Sequence, residues 1–166
     1  MVIIIAGPPC AGKSTIAEGV AHRLGLSHLS MDGTRQRILP GASHTRADRQ
    51  AAYRAMAMAA ELLQAAGVGI VLDAPYGHAE DRAEIDKLHP LWVECRVSPE
   101  EAMRRMIARG YDAERPDLTP EVVRRSAEEY HYTAPIVLDT ESVSTKDCVR
   151  RVVRAFREGS AATWRR

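Results

Sequence analysis

The sequence lacks several features that would assign it to other classes of protein. Its three cysteines, Cys10, Cys95 and Cys148, do not have the paired spacing of a zinc site, so we interpret them as reduced thiols. Its six histidines show no metal-ligand spacing either. With 23 basic and 22 acidic residues, the chain also lacks the strong positive charge that favours nucleic acid, although a local basic patch is left open.

Long hydrophobic runs are absent as well. The first apolar run, Val2–Ala6, is only as long as a strand, and no basic segment precedes it. The sequence therefore predicts neither a signal peptide nor a transmembrane helix, and we expect a cytoplasmic protein. Because no repeat, linker or low-complexity segment divides the 166 residues, we predict one domain over residues 1–159 and a tail at 160–166.

Strand-like apolar runs alternate with helical patterns along the chain. This alternation predicts an α/β fold, with a parallel sheet covered by helices. The predicted strands are residues 2–6, 26–30, 68–73, 91–97 and 135–139. Thr45, Ser98 and Thr119 are predicted to cap helices, with a reciprocal capping box between Ser98 and Glu101. The last helix is predicted over residues 145–157, before a frayed end.

The stretch Gly7-Pro8-Pro9-Cys10-Ala11-Gly12-Lys13-Ser14-Thr15 connects the first predicted strand to a helical pattern. It matches G-x-x-x-x-G-K-[ST], the signature of a phosphate-binding loop. Gly7 and Gly12 allow the backbone to direct its N–H groups at an anion, and the helix adds its positive N-terminal end. Lys13 is predicted to contact the β- and γ-phosphates of a nucleotide, and Ser14 to supply a hydroxyl ligand for Mg²⁺.

Polar residues follow the second predicted strand, at the sheet edge where open parallel sheets bind ligands. Asp32 has two interpretations there. It is either an N-cap for a short helix beginning at Gly33, or the general base for an attacking hydroxyl, which we favour. Arg35 lies one helical turn further along, on the same side, where it is placed to hold substrate or a phosphate oxygen.

Asp73 ends the apolar run 69–73, a position that matches the acidic residue of a Walker B strand. There it would hold Mg²⁺ or a water molecule bound to the ion, which is the interpretation we favour. The alternative is a turn-forming aspartate before Ala74 and Pro75.

Arg105 and Arg109 lie four residues apart on one predicted helical face. Like charges at this spacing weaken an isolated helix by roughly 0.2–0.5 kcal/mol, unless an anion faces them. We therefore predict that both belong to a lid that closes over phosphates, with a solvated basic helix as the alternative.

Two segments poor in core residues, 39–46 and 110–118, are predicted to be flaps of the same cleft, or else ordinary surface loops. Arg115 lies in the second segment and could also reach the cleft. Arg46, Arg49, Tyr53 and Arg54 follow the first segment and are candidates for substrate contact or for a solvated helix face.

Four segments together carry a resemblance to a known family. Residues 7–15 match the phosphate loop, and residues 30–35 match a small polar residue followed by x-Asp-x-x-Arg. Residues 71–75 with 80–82 resemble a strand ending in Asp-Ala/Thr before a Glu-x-Arg helix start, and residues 105–110 resemble an arginine lid. On these motifs the chain resembles the P-loop kinases of the zeta-toxin and polynucleotide-kinase group, including chloramphenicol phosphotransferase-like small-molecule kinases.

The resemblance implies a five-stranded sheet of order 2-3-1-4-5, with ATP and Mg²⁺ as cofactors and an alcohol as phosphate acceptor. It implies that Asp32 is the general base and that Lys13, Arg35 and Arg109 take part in catalysis. Residues 7–15, with Arg105 and Arg109, would hold ATP, whose adenine would lie between the lid helix and the loop after residues 139–140.

The acceptor-side region, residues 39–53, matches no member of that group, so the acceptor stays open. We expect a small hydroxylated molecule such as an antibiotic, nucleoside or sugar. The alternatives are a polynucleotide 5′-hydroxyl kinase and a nucleotide-gated binding module without transfer activity.

Overall fold

Five apolar segments form a parallel sheet in the computed structural model, which describes residues 1–41, 45–110 and 117–163, and side chains as far as residue 159. The strands are β1 (Val2–Ala6), β2 (Ser27–Ser30), β3 (Ile70–Asp73), β4 (Leu91–Arg96) and β5 (Ile136–Asp139). Their order across the sheet is β2-β3-β1-β4-β5, as the resemblance implied. β1 and β3 are buried along their whole length because helices cover both faces of the sheet.

Within the described ranges, helices connect the strands and cover the sheet. They are α1 (Lys13–Leu24), α2 (Met31–Ile38), α3 (Arg46–Ala65), α4 (Ala79–Arg82), α5 (Pro99–Arg109), α6 (Pro120–Glu128) and α7 (Thr145–Thr163), with a 3₁₀ turn at Ile85–Leu88. The prediction that the last helix ends at Arg157 is wrong, since α7 continues to Thr163. The single glycine in between, Gly159, costs only about 1 kcal/mol in a helix and does not stop it.

Alternate residues of the sheet face two separate cores. Ile3 and Ile5 face the core that contains α1 and α7, whereas Ile4 faces the core that contains α3. Cys148 and Val152 of α7 are fully buried in the first core. The two cores fix the sheet between its helices and bring the carboxyl ends of β1, β2 and β3 to one edge.

Helix caps largely follow the predictions. Thr45 and Asp48 form a reciprocal capping box at the start of α3. The hydroxyl of Ser98 accepts from the Glu101 amide, but the predicted reciprocal box is not formed. The Ser98 amide instead donates to the Glu141 carboxylate, because the Glu101 carboxylate accepts from two arginines of α5.

No helix in the described ranges combines the length and the apolar character that a membrane crossing requires. The three cysteines all lie in those ranges and form no disulfide. Residues 42–44 and 111–116 lie outside the described ranges, so the two predicted flaps and the role of Arg115 stay predictions.

Candidate active site

The loop between β1 and α1 has the backbone conformation that an anion cradle needs. Gly7, Cys10 and Gly12 all have positive φ angles, of 145°, 60° and 81°. A Cβ on Gly7 would lie 2.5 Å from the carbonyl oxygen of Cys95, so only glycine fits against β4. Gly12 directly precedes α1, whose unpaired N-terminal amides and positive dipole end therefore face this loop.

Lys13 lies across the loop, since its Nζ donates to the carbonyl oxygen of Pro8 at 2.8 Å. Burial lowers the pKa of its ammonium group, and the carboxylates of Asp73 and Asp32 act in the opposite direction. A buried cation with a lowered pKa is stabilised by any further anion that approaches it. The loop therefore has the charge and the shape to bind a phosphate chain.

A cavity of about 210 Å³ opens at the edge where β1, β2 and β3 end. Most of the predicted site residues line it, namely Pro9, Cys10, Gly12, Lys13, Ser14, Thr15, Asp32, Arg35, Asp73 and Arg109. The predicted residues Gly7, Pro8, Ala11 and Arg105 are not among the residues that line it. Residues from four separate segments thus meet in one cleft, as expected for the ligand site of an open parallel sheet.

Asp32 is not the N-cap of its helix, so that alternative is wrong. Ser30 caps α2, because its hydroxyl accepts from the Gly33 amide at 3.1 Å. Asp32 is the second residue of α2, and its side chain is 60% exposed on the cavity wall. The guanidinium of Arg35 is buried, with Nη2 3.6 Å from Asp32 Oδ1, so the two form an ion pair too long for a direct hydrogen bond.

Asp73 accepts a hydrogen bond from the Ser14 hydroxyl, with an Oγ–Oδ2 distance of 2.8 Å. Its other oxygen, Oδ1, lies 2.5 Å from Nε2 of His28 on β2. The sequence interpretation missed His28, because a lone histidine inside a strand carries no motif. The structure therefore adds a residue to the predicted pair of Ser14 and Asp73.

Arg105 connects three parts of the molecule. Its guanidinium donates to the carbonyl of Cys10 in the phosphate loop and to the hydroxyl and carbonyl of Thr140 after β5. It also donates to Glu101, one turn earlier on α5, and hydrogen bonds from Arg104 and Arg105 hold the pKa of Glu101 at about 2. From the sequence we invoked a bound anion to face the positive charge of Arg105, and Glu101 already supplies a negative partner for it. That Arg105 also contacts a nucleotide stays a prediction.

Of the candidate substrate contacts at the start of α3, one lines the cavity and two make contacts that stabilise the fold. Arg49 lines the cavity. Arg46 instead donates to Glu80 and Asp81, which connects α3 to α4. The hydroxyl of the buried Tyr53 accepts from the Tyr76 amide in the core below.

The chain matches a known protein family over most of its length. The model of the AAA_33 family, described as an AAA domain, matches residues 2–133. The chain belongs to this family. Two curated relatives, uncharacterized proteins of Mycobacterium tuberculosis and Mycobacterium bovis, are each 32% identical over 111 residues. Each match covers 57% of this chain and 22% of the relative, so this AAA_33 chain spans about a fifth of their length.

Solved kinases share the fold of this AAA_33 member. A shikimate kinase from Acinetobacter baumannii, solved with shikimate, has a TM-score of 0.71 at 17% identity, covering 95% of this chain and 93% of its own. The APS kinase of Mycobacterium tuberculosis, solved with AMPPNP and APS, has a TM-score of 0.73 at 23% identity, covering 94% and 96%. A gluconokinase from Sinorhizobium meliloti has a TM-score of 0.74 at 16% identity, covering 98% and 95%. The fold is therefore that of the kinase-like P-loop NTPases, and the narrower zeta-toxin resemblance stays a prediction.

In this AAA_33 member, Ser14 and Asp73 offer oxygen atoms at the cavity, the ligand type that Mg²⁺ prefers. Across the described ranges, no group of three or more His, Cys, Asp and Glu side chains is placed to hold a metal ion. Mg²⁺ does not need such a group, since it binds through one or two protein oxygens, several waters and the phosphates of its substrate. Ser14 and Asp73, side by side at the rim of the phosphate loop, fit that pattern.

Proposed function

We propose that this chain is an ATP- and Mg²⁺-dependent kinase that transfers the γ-phosphate to a hydroxyl group of a small molecule. The observation that carries the proposal is that Lys13 of the phosphate loop and Asp32 of α2 line one cavity. A phosphate chain in the loop and a hydroxyl beside Asp32 would share that space, which is the placement that phosphoryl transfer requires.

In the proposed reaction, Asp32 accepts the proton of the acceptor hydroxyl as its oxygen attacks the γ-phosphorus. The bond from the γ-phosphorus to the bridging oxygen breaks, and ADP leaves. Lys13 and the loop amides stabilise the charge on the phosphates. Ser14 and Asp73 would hold Mg²⁺, Asp73 directly or through a water molecule bound to the ion, and Mg²⁺ neutralises phosphate charge when it is bound.

The lining of the cavity favours an acceptor that carries negative charge besides its hydroxyl. Arg35 of α2 and Arg49 of α3 both line the cavity, and Arg35 is only 5% exposed. Guanidinium groups bind carboxylates and phosphates with paired hydrogen bonds. We therefore expect a sugar acid, a nucleotide-like alcohol or a hydroxylated carboxylic acid to be a better acceptor than a neutral sugar or antibiotic.

A screen of alcohols with labelled ATP tests the function, and Asp32→Asn tests the mechanism. We expect one class of acceptor to be phosphorylated saturably, and Asp32→Asn to lower kcat by about 10²–10⁴-fold with nucleotide affinity nearly unchanged. Glu129→Gln, at an exposed acid of α6's C-terminal end, is the matched control and should behave like the unmodified chain.

Unchanged turnover in Asp32→Asn would show that Asp32 is not the base. Nucleotide binding without transfer to any alcohol would favour the binding module instead. Phosphorylation of oligonucleotide 5′ ends, with a steep salt dependence, would favour the polynucleotide kinase.

A further inference from the structure

A histidine on the edge strand of the sheet contacts the metal side of the proposed site. His28 lies on β2, with Nε2 2.5 Å from Oδ1 of Asp73. We propose that His28 is a positioning residue, which fixes the Asp73 carboxylate so that Ser14 presents its oxygen to Mg²⁺. This inference rests on the proposed function, because it assumes that a Mg²⁺-nucleotide complex binds at the loop.

The sheet register explains how His28 reaches the site. β2 and β3 are parallel neighbours in which His28 pairs with Val71 and Ser30 pairs with Asp73. His28 therefore lies two residues before the end of β2, and its side chain extends forward to the carboxylate. The His28 side chain is 18% exposed and that of Asp73 is 5% exposed, so water competes little with the contact.

Both oxygens of Asp73 are engaged by side chains of this chain. Oδ2 accepts a hydrogen bond from the Ser14 hydroxyl, with an Oγ–Oδ2 distance of 2.8 Å, and Oδ1 faces His28. An ionised carboxylate only accepts hydrogen bonds, so His28 must carry its proton on Nε2. The arrangement fixes the plane of the carboxylate, which in turn fixes the direction of the Ser14 O–H bond.

The hydrogen bonds of Asp73 determine how its carboxylate would act on Mg²⁺. Because the Ser14 proton is directed at Asp73, the lone pairs of the Ser14 oxygen are available to a cation. With both of its own oxygens engaged, Asp73 is set to act through Ser14 and through water rather than as a direct ligand. Partners that orient a metal ligand change metal affinity by about 10–100-fold when they are removed. Asp73 is such a partner of Ser14, and His28 holds Asp73 in that place.

Calorimetry of AMPPNP binding, with saturating Mg²⁺ and again with EDTA, measures the effect without catalysis. The ratio of the two affinities reports how strongly Mg²⁺ supports nucleotide binding. We expect His28→Ala to lower this ratio by about tenfold or more, with the affinity in EDTA nearly unchanged. His22→Ala, at an exposed histidine of α1, is the matched control and should leave the ratio as it is.

Two further variants separate positioning from simple packing. The amide nitrogen of glutamine can occupy the place of the imidazole Nε2, whereas that of asparagine is too short. We therefore expect the ratio of AMPPNP affinities with Mg²⁺ and with EDTA to stay close to that of the unmodified chain in His28→Gln. In His28→Asn the ratio should fall as far as it does in His28→Ala. The same order should appear in the Mg²⁺ concentration that gives half-maximal turnover.

Several results would overturn the inference. A normal ratio in His28→Ala and His28→Asn, with only a lower unfolding temperature, would reduce His28 to a structural role. An imidazole of the unmodified chain whose ¹⁵N spectrum shows Nε2 without its proton would also contradict it, even if the alanine variant did not fold. If the unmodified chain bound no nucleotide at all, the proposed function would fail together with this inference.

Discussion

Gly7→Ala is the substitution whose effect the structure defines most sharply. The residue has a φ angle of 145°, which L-amino acids other than glycine rarely adopt, and a new Cβ would lie 2.5 Å from a backbone oxygen of Cys95. The strained backbone costs about 1–3 kcal/mol. The steric overlap adds about 1–3 kcal/mol, because backbone atoms of a central strand cannot move away cheaply.

The free energy of unfolding should therefore fall by about 2–6 kcal/mol, a large share of the 5–15 kcal/mol that is typical of a domain. Gly25→Ala provides the matched control. Gly25 also has a positive φ angle, of 66°, but nothing lies within 4 Å of the position a Cβ would take. That variant should lose only the left-handed backbone cost, about 1–2 kcal/mol.

Urea unfolding followed by circular dichroism gives both differences, and calorimetry gives nucleotide affinity. We expect Gly7→Ala to weaken nucleotide binding as well, since the loop must shift away from β4, whereas Gly25→Ala should bind normally. Equal losses of stability in the two variants, with equal nucleotide affinity, would refute the close packing of the loop on Cys95.

Three other expectations follow from caps and pKa values. Ser30→Ala should cost about 1 kcal/mol of stability, and should raise the acceptor KM more than the nucleotide Kd, because α2 carries Arg35, which we propose contacts the acceptor. Nucleotide binding should weaken as the pH rises through the lowered pKa of Lys13, with proton uptake visible by calorimetry in buffers of different ionisation enthalpy. Burial raises the pKa values of Tyr53 and Tyr76, so above about pH 10 each of these tyrosines should lower stability by about 1.4 kcal/mol per pH unit.

The direction of the tyrosine effect follows from the number of protons that the folded and the unfolded chain bind. Above pH 10 the unfolded chain loses phenol protons that the folded chain keeps, so unfolding becomes more favourable. Stability that rose with pH in this range would contradict the burial of these rings. Nucleotide affinity that began to fall only above the ordinary pKa of a lysine would contradict the lowered pKa of Lys13, and equal changes in KM and Kd would contradict the role given to Ser30.

The fold class and the phosphate loop could be predicted because their signals are local. Apolar runs identified each strand of the described ranges to within one or two residues, and glycine spacing identified a loop in which both glycines have positive φ angles. Thr45 was correctly predicted as a cap, since a cap bonds an amide three residues away. The competing interpretations of Asp32 were harder, because Ser30 and Asp32 are both good capping residues and only the turn geometry selects Ser30.

Contacts between segments that are far apart in the sequence depend on the tertiary structure. His28 and Asp73 are 45 residues apart, and they meet because β2 and β3 are neighbours in the sheet. Arg105 meets Thr140 only because α5 and the end of β5 lie at the same edge of the sheet. The strands, the helices and the phosphate-loop motif could be read from the sequence, because those properties depend on residues that are close along the chain. The contact of His28 with Asp73 depended on strand order and register, which no local pattern encodes.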